Sequence, residues 1–357
     1  MAPKPFALTI CTLALILAVF LRGDTADHSL PSGSQALCLQ NVRLRDAPSI
    51  SAAPLKTVPR GQVLSALAIR DTAEQDTPFT RWCQVESVTG DAGWISLDFV
   101  SLNRPGPLNP RTRRPALIHM ESRFLAYGSD YAALGLSGVN KINGRIYRLR
   151  SHRLPGEGQW IGPAVPAAVP HVLPSGLELN ILDDHPEGWL AFYRSPPGTG
   201  AYDTYEARFY GQDGTLQWSV GLDRFLPDGQ PREIQDIRLV PPRLFFNAAC
   251  ASYSRESGDR CSELVAIHPD TGEELWRTPH LVSNNIFIPA GAWLICGYGF
   301  TSEPDFLYIV DQISGQVLTW QALDSAADYL EIRDDVLWVT TYNYLHSYRM
   351  ASPPSRQ

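Results

Sequence analysis

The 357-residue chain is 44% hydrophobic and 19% charged, which excludes global disorder and supplies a sizeable core, more naturally as two domains than as one. Its net charge is −7, with no basic run; nucleic acid is excluded as a partner, because phosphate contacts need a concentrated Lys/Arg surface. The 29 prolines and 27 glycines lie among short apolar runs, the pattern of an all-β chain with many turns.

At the N-terminus, Lys4 precedes an uncharged apolar run, Phe6–Leu21, of 16 residues. That is short for a membrane span and suits the core of a signal peptide, so residues 1–26 read as an export leader. Asp24-Thr25-Ala26 is a poor cleavage site, because Asp24 stands where a small residue is wanted. An uncleaved anchor is therefore the alternative, and it is the only membrane contact expected. Either way the remainder belongs in the periplasm or cell envelope. Five cysteines follow the leader, none in a C-x-x-C pair, so no metal site is expected. In an oxidising compartment disulfides are expected instead: Cys250 with Cys261 across the excursion Ala251–Arg260, and Cys38 with Cys83. Cys296, in an apolar strand with no nearby His, reads as a buried structural thiol.

Residues 36–102 form the first module. Val42 and Leu44 alternate with Arg43 and Arg45 as in a half-buried strand. Arg60-Gly61 supplies a turn before the strand Val63–Ile69, and Asp91-Ala92-Gly93 a turn before Trp94 and Ile95. In order, Asn41–Arg45, Ala47-Pro48-Ser49, Val58–Gly61, Arg81–Val85 and Gly93-Trp94-Ile95 resemble bacterial SH3-like domains. The resemblance implies a small barrel that contacts peptide or peptidoglycan, with Phe79, Trp82 and Trp94 as candidate ligand-binding residues. In the competing reading Trp82 and Trp94 fill the barrel core, since small barrels need large side chains. The stretch Asp71–Thr80 lengthens one loop.

The segment 103–115 contains RPGPLNPRTRRP, with four prolines and four arginines, and reads as a stiff, exposed connector. Across residues 116–349 one punctuation recurs: a strand, a polar turn ending in Gly, then a strand carrying Trp. Gly214 goes with Trp218, Gly272 with Trp276 and Gly315 with Trp320, at steps of 58 and 43 residues; Gly144 marks a weaker copy. Ala266, Thr271-Gly272 and Trp276 resemble the repeat of pyrroloquinoline-quinone-type propellers. That family's Asp position holds Tyr210, His268 and Asp311 in the three copies. The expected fold class is all-β: a small SH3-like barrel plus a β-propeller of about five to six blades. Trp276, with Trp218 and Trp320, is expected to wedge between blades. The tail, 350–357, carries two prolines and offers no further strand. The last unit thus lacks an outer strand, and Ala116–Met120 is expected to pair beside Tyr344–Tyr348, removing two open edges.

Chemistry finds little footing. The resembled quinone enzymes use a larger propeller, a calcium site and an adjacent cysteine pair, so no cofactor is expected here. Asp183-Asp184-His185 suits metal or acid/base chemistry, but Asp-Asp-His-Pro-Glu-Gly is also turn chemistry, and the turn is preferred. His119, His171, His280 and His346 stand singly, and no G-x-S-x-G or H-E-x-x-H motif occurs. The leading expectation is a non-enzymatic envelope binding or scaffold protein, with peptidoglycan or envelope proteins as partners. The alternatives are a hydrolase or lyase with its site in the propeller channel, then a quinone-dependent oxidoreductase.

Overall fold

The computed structural model describes residues 27–72, 78–109, 114–124, 146–147, 165–196, 204–226, 232–342 and 344–351. The leader, the weaker repeat copy at Gly144 and much of the loops at 71–80 and 195–201 lie outside them. Among the described residues no helix is long and apolar enough to cross a membrane.

The first module is a single antiparallel sheet. Its strands are β1 (His28–Ser29), β2 (Gln35–Cys38), β3 (Val42–Arg45), β4 (Pro54–Val58), β5 (Val63–Asp71), β6 (Arg81–Glu86), β7 (Ala92–Ser96) and β8 (Val100–Leu102). They run in the order β4-β3-β7-β6-β5-β2-β8, with β1 added to β5. Period-two alternation builds its core: Val42 and Leu44 point in while Arg43 and Arg45 point out. Cys83, Val85 and Ile95 face the same core from β6 and β7.

Beyond the connector, β9 (Ala116–Phe124) is followed by four further groups of strands. The first is β10 (Ile146–Tyr147), β11 (Glu178–His185), β12 (Gly188–Arg194), β13 (Tyr205–Gly211) and β14 (Leu216–Gly221). Next come β15 (Arg232–Val240), β16 (Arg243–Cys250), β17 (Glu263–His268) and β18 (Glu273–Arg277). Then follow β19 (Asn284–Ala290), β20 (Trp293–Tyr298), β21 (Asp305–Asp311) and β22 (Val317–Leu323). The last group is β23 (Tyr329–Arg333), β24 (Val336–Thr340) and β25 (Tyr344–Ala351). The first three groups each form an antiparallel sheet in chain order, and the fourth takes β9 as its outer strand. Ala116 pairs with Ala351 and Ser122 with His346, so the segment after the connector joins the end of the chain as expected. The pairing gives two otherwise open edges a partner.

The expected fold class needs correction. The strands form discrete antiparallel sheets, and none is shown closed into a barrel or a propeller. In the first module β4 and β8 remain unpaired with each other, which leaves the sheet open. The second part has four sheets among its described residues rather than five or six units. Long connections such as 251–262, with one 3-10 turn at Ser254–Ser257, add residues without adding strands.

The connector is not a free spacer either. Arg104 and Arg277 exchange backbone hydrogen bonds at 2.9 and 3.0 Å, and Gly106 N–H donates to the Ser314 carbonyl at 2.9 Å. Its first half thus lies along the second part. The module itself is docked: the Gln35 amide bonds both backbone groups of Val317 at 2.8 and 2.9 Å. Leu37 and Leu39 share one apolar cluster with Phe245, Trp276 and Tyr308. Gly61, at φ +80°, rests on the Phe306 ring, and a side chain there would collide with it.

Cys250 and Cys261 form a disulfide with Cα atoms 5.1 Å apart, at the ends of the excursion between β16 and β17. Cys38 and Cys83 are free thiols, contrary to the expected pairing. Their strands are not neighbours, because β5 lies between β2 and β6. Burial pushes both thiols up to about 12, which keeps them unreactive.

Candidate functional site

Alternation in the first module separates its two tryptophans from its core. Trp82 pairs with Ser96 and Gln84 with Trp94, so both rings lie on the face opposite Cys83, Val85 and Ile95. Neither belongs to the core cluster, yet their relative exposures are only 2% and 6%. Different neighbours cover them. The Arg70 guanidinium sits 4.5 Å over the Trp94 ring and is held there by Asp27, so that ring is capped by the chain itself.

Trp82 instead lines a pocket of about 240 Å³ with Phe79, Phe99, Ile50, Arg43 and Arg45. The Phe79 and Phe99 rings meet at 5.1 Å with a 57° tilt. Arg45 Nη1 donates to the Ala52 carbonyl at 2.6 Å, tying β3 to the loop that carries Ile50. The Trp82 indole N–H is buried and has no hydrogen-bond partner among the described residues. Of the three candidate binding residues, the fold therefore brings together Phe79 and Trp82 and leaves Trp94 outside. Arg43, Ile50 and Phe99 were missed. The β3 alternation already turned Arg43 outward, whereas Phe99 meets Phe79 only through the fold.

The repeat residues serve packing in different ways. Gly214, Gly272 and Gly315 all adopt positive φ in the turns before the outer strands. At Gly315 a side chain would run into the Trp276 ring. Asp311 Oδ1 accepts from Ile313 N–H, Ser314 N–H and the Ser314 hydroxyl at 2.7–3.0 Å, while Thr271 Oγ1 accepts from Glu273 N–H at 3.3 Å. The buried Trp276 contacts Phe245 at 5.6 Å and donates its indole N–H to the Gln312 carbonyl of the adjacent sheet at 3.1 Å. Trp218 stacks on Phe209 and Trp320 meets Phe306 edge-on; both are only half-buried.

Asp183, Asp184 and His185 are not a turn. They end strand β11, paired with Leu190, Trp189 and Gly188, and the turn is the dipeptide Pro186-Glu187. The three line a cavity of about 610 Å³ with Gln212, Arg238 and Gln312. Buried Arg238 lies 2.8 Å from Asp236 and donates to the Phe287 carbonyl at 2.9 Å, so its position is set by packing. Among the described residues no group of His, Cys, Asp and Glu is arranged to hold a metal ion.

Two acidic centres lie in the second part, Glu263 buried and Asp305 half-buried. Glu263 takes Arg232 and Arg277 at 2.8 and 2.9 Å, with His280 Nδ1 at 3.1 Å. Burial pushes its pKa up, but His280, Arg277 and Arg232 outweigh that and hold it at about 2. Asp305 has the opposite balance: burial, then the charges of Asp324 and Glu303, push it up to about 7. Its Oδ1 is buried without a hydrogen-bond partner among the described residues.

Residues 40–101 match the family model of the bacterial SH3 domain. No curated protein matches the chain. Among solved structures, the chain is similar to the crystal structure of BamB from Moraxella catarrhalis, at 12% identity and a TM-score of 0.29, covering 91% of this chain and 100% of that one. It is also similar to the computationally designed Ika8 protein, at 12% identity and a TM-score of 0.32, covering 88% and 99%.

Proposed function

We propose that this chain is a binding and scaffold protein of the cell envelope. In this reading the SH3-like module takes peptide, from a partner protein or the wall, at the Phe79–Trp82 pocket. The sheets behind it hold the module in one orientation and present their own faces to protein partners. The observation that carries the reading is the division of labour on the module's surface. One flank is locked to the second part through Gln35, Leu37, Gly61 and Ser101, whose hydroxyl accepts from His280 N–H at 2.9 Å. Another flank keeps an aromatic pocket open. Export is supported by the apolar run Phe6–Leu21 and by the Cys250–Cys261 disulfide, which suits an oxidising compartment.

The test is co-sedimentation of the exported full-length protein with purified peptidoglycan, beside in-cell cross-linking from a photoreactive residue at position 50. The reading expects a saturable wall interaction or a discrete cross-linked protein, either one lost with Phe79→Ala. Neither signal, from a protein that melts normally, would remove it.

A further inference from the structure

We infer that the pocket of the first module receives an acidic segment of a partner protein, one apolar side chain entering beside a carboxylate. The inference rests on the binding role proposed above and specifies its ligand. Three observations carry it.

The first is charge. The chain is net negative at −7, yet among the described residues the ionisable ones lining this pocket are Arg43 and Arg45. Arg45 is engaged with the Ala52 carbonyl, while Arg43 is exposed and makes no ion pair among the described residues. A ligand carboxylate beside the pocket meets the Arg43 guanidinium, and the described lining residues include no carboxylate.

The second is the buried donor. Leaving a buried N–H without an acceptor is unfavourable, and Trp82 does so on the wall of an open pocket. The N–H is shielded from solvent in this structure, so a ligand backbone carbonyl or carboxylate oxygen supplies the missing acceptor only as the pocket wall opens around the inserted side chain. The third is size and shape. About 240 Å³ falls short of the volumes that enclose a whole small-molecule ligand and suits a single side chain. The 57° tilt between Phe79 and Phe99 makes walls rather than a flat platform, which favours an inserted side chain over a stacked sugar ring.

The experiment measures anisotropy of labelled hexapeptides with the full chain. One peptide carries a central Leu flanked by Glu. Its controls replace Glu by Gln or by Lys, and a fourth ligand is a muropeptide from the wall. The acidic peptide is expected to bind about fivefold more tightly than the Gln version, an exposed charge pair contributing modestly, and the gap should shrink with added salt. Arg43→Glu should reverse the order of the Glu and Lys peptides. Trp82→Phe keeps the ring and removes the N–H, and should weaken the acidic peptide by about three- to tenfold with unchanged melting. Equal binding of the Glu, Gln and Lys peptides, or binding of the muropeptide alone, overturns this inference and leaves the binding role standing. Failure of all four ligands, with no cross-linked partner, overturns both.

Discussion

Trp82 in the first module and Trp276 in the second part are almost equally buried, at 2% and 1% relative exposure, yet they stand in opposite situations. Trp276 spends its N–H on the Gln312 carbonyl of the neighbouring sheet and closes its ring against Phe245 and Gly315. Trp82 lies outside its module's core cluster, lines an open pocket and has its N–H unsatisfied. Burial alone therefore does not separate a packing residue from a binding residue. What differs between these two is the polar atom, and an unmade buried hydrogen bond lowers stability. The carboxylates repeat the contrast: Glu263 is held by Arg232, Arg277 and His280, and Asp305 feels the charges of Asp324 and Glu303.

The largest effect expected is from Trp276→Ala, which should lower stability by about 3–5 kcal/mol in denaturant melts without changing peptide binding at the first module. A loss below about 1 kcal/mol would mean the site collapses easily and would break the comparison from the Trp276 side.

Glu263→Gln should cost about 3 kcal/mol, because Arg232 and Arg277 would stay buried without their counter-charge. The folded pKa is depressed to about 2. Its stabilisation is therefore complete above the unfolded value near 4.5 and is lost as pH falls toward 2. The variant should show a flatter stability profile across that window, read from urea midpoints at several pH values.

Trp82→Phe should do the reverse of Trp276→Ala, leaving stability unchanged or raising it by up to about 1 kcal/mol while weakening ligand binding. A clear loss of stability on calorimetry would show that the indole N–H has an acceptor after all.

Asp305→Asn should act in the opposite direction to Glu263→Gln. A carboxyl raised to about 7 holds its proton in the folded state after the unfolded chain has lost it. Its destabilising influence therefore grows as pH rises from about 4 through 7. The variant should melt higher than the parent at pH 8 and nearly with it at pH 4. Identical shifts at both values would remove the electrostatic account.

Much of the local pattern was legible from residues alone. The Gly turns ahead of Trp218, Trp276 and Trp320 precede real outer strands, because positive φ at a hairpin is written in residue type. The pairing of β9 with β25 was legible from an unpartnered apolar segment and a missing strand. Other features were not. Trp82 and Trp94 read as core candidates by size, although the alternation Trp82-Cys83-Gln84 already offered Cys83 for the inside; choosing between them required knowing which face the sheet buries. Asp183-Asp184-His185 read as a turn because Pro186 and Glu187 follow directly, yet β11 continues through His185.

By itself the sequence determined the all-β class, the glycine turns before the outer strands and the resemblance of the first module, because these depend on residue type and on neighbours a few positions away. Only the tertiary structure decided which strands adjoin, and that choice kept Cys38 from Cys83, left the sheets discrete and packed the connector. It alone joined Phe79 to Phe99 and Trp82, across a pocket whose character comes from residues distant in the chain. Pairing partners are selected by burial and hydrogen-bond satisfaction summed over the whole molecule, and no local stretch contains that sum.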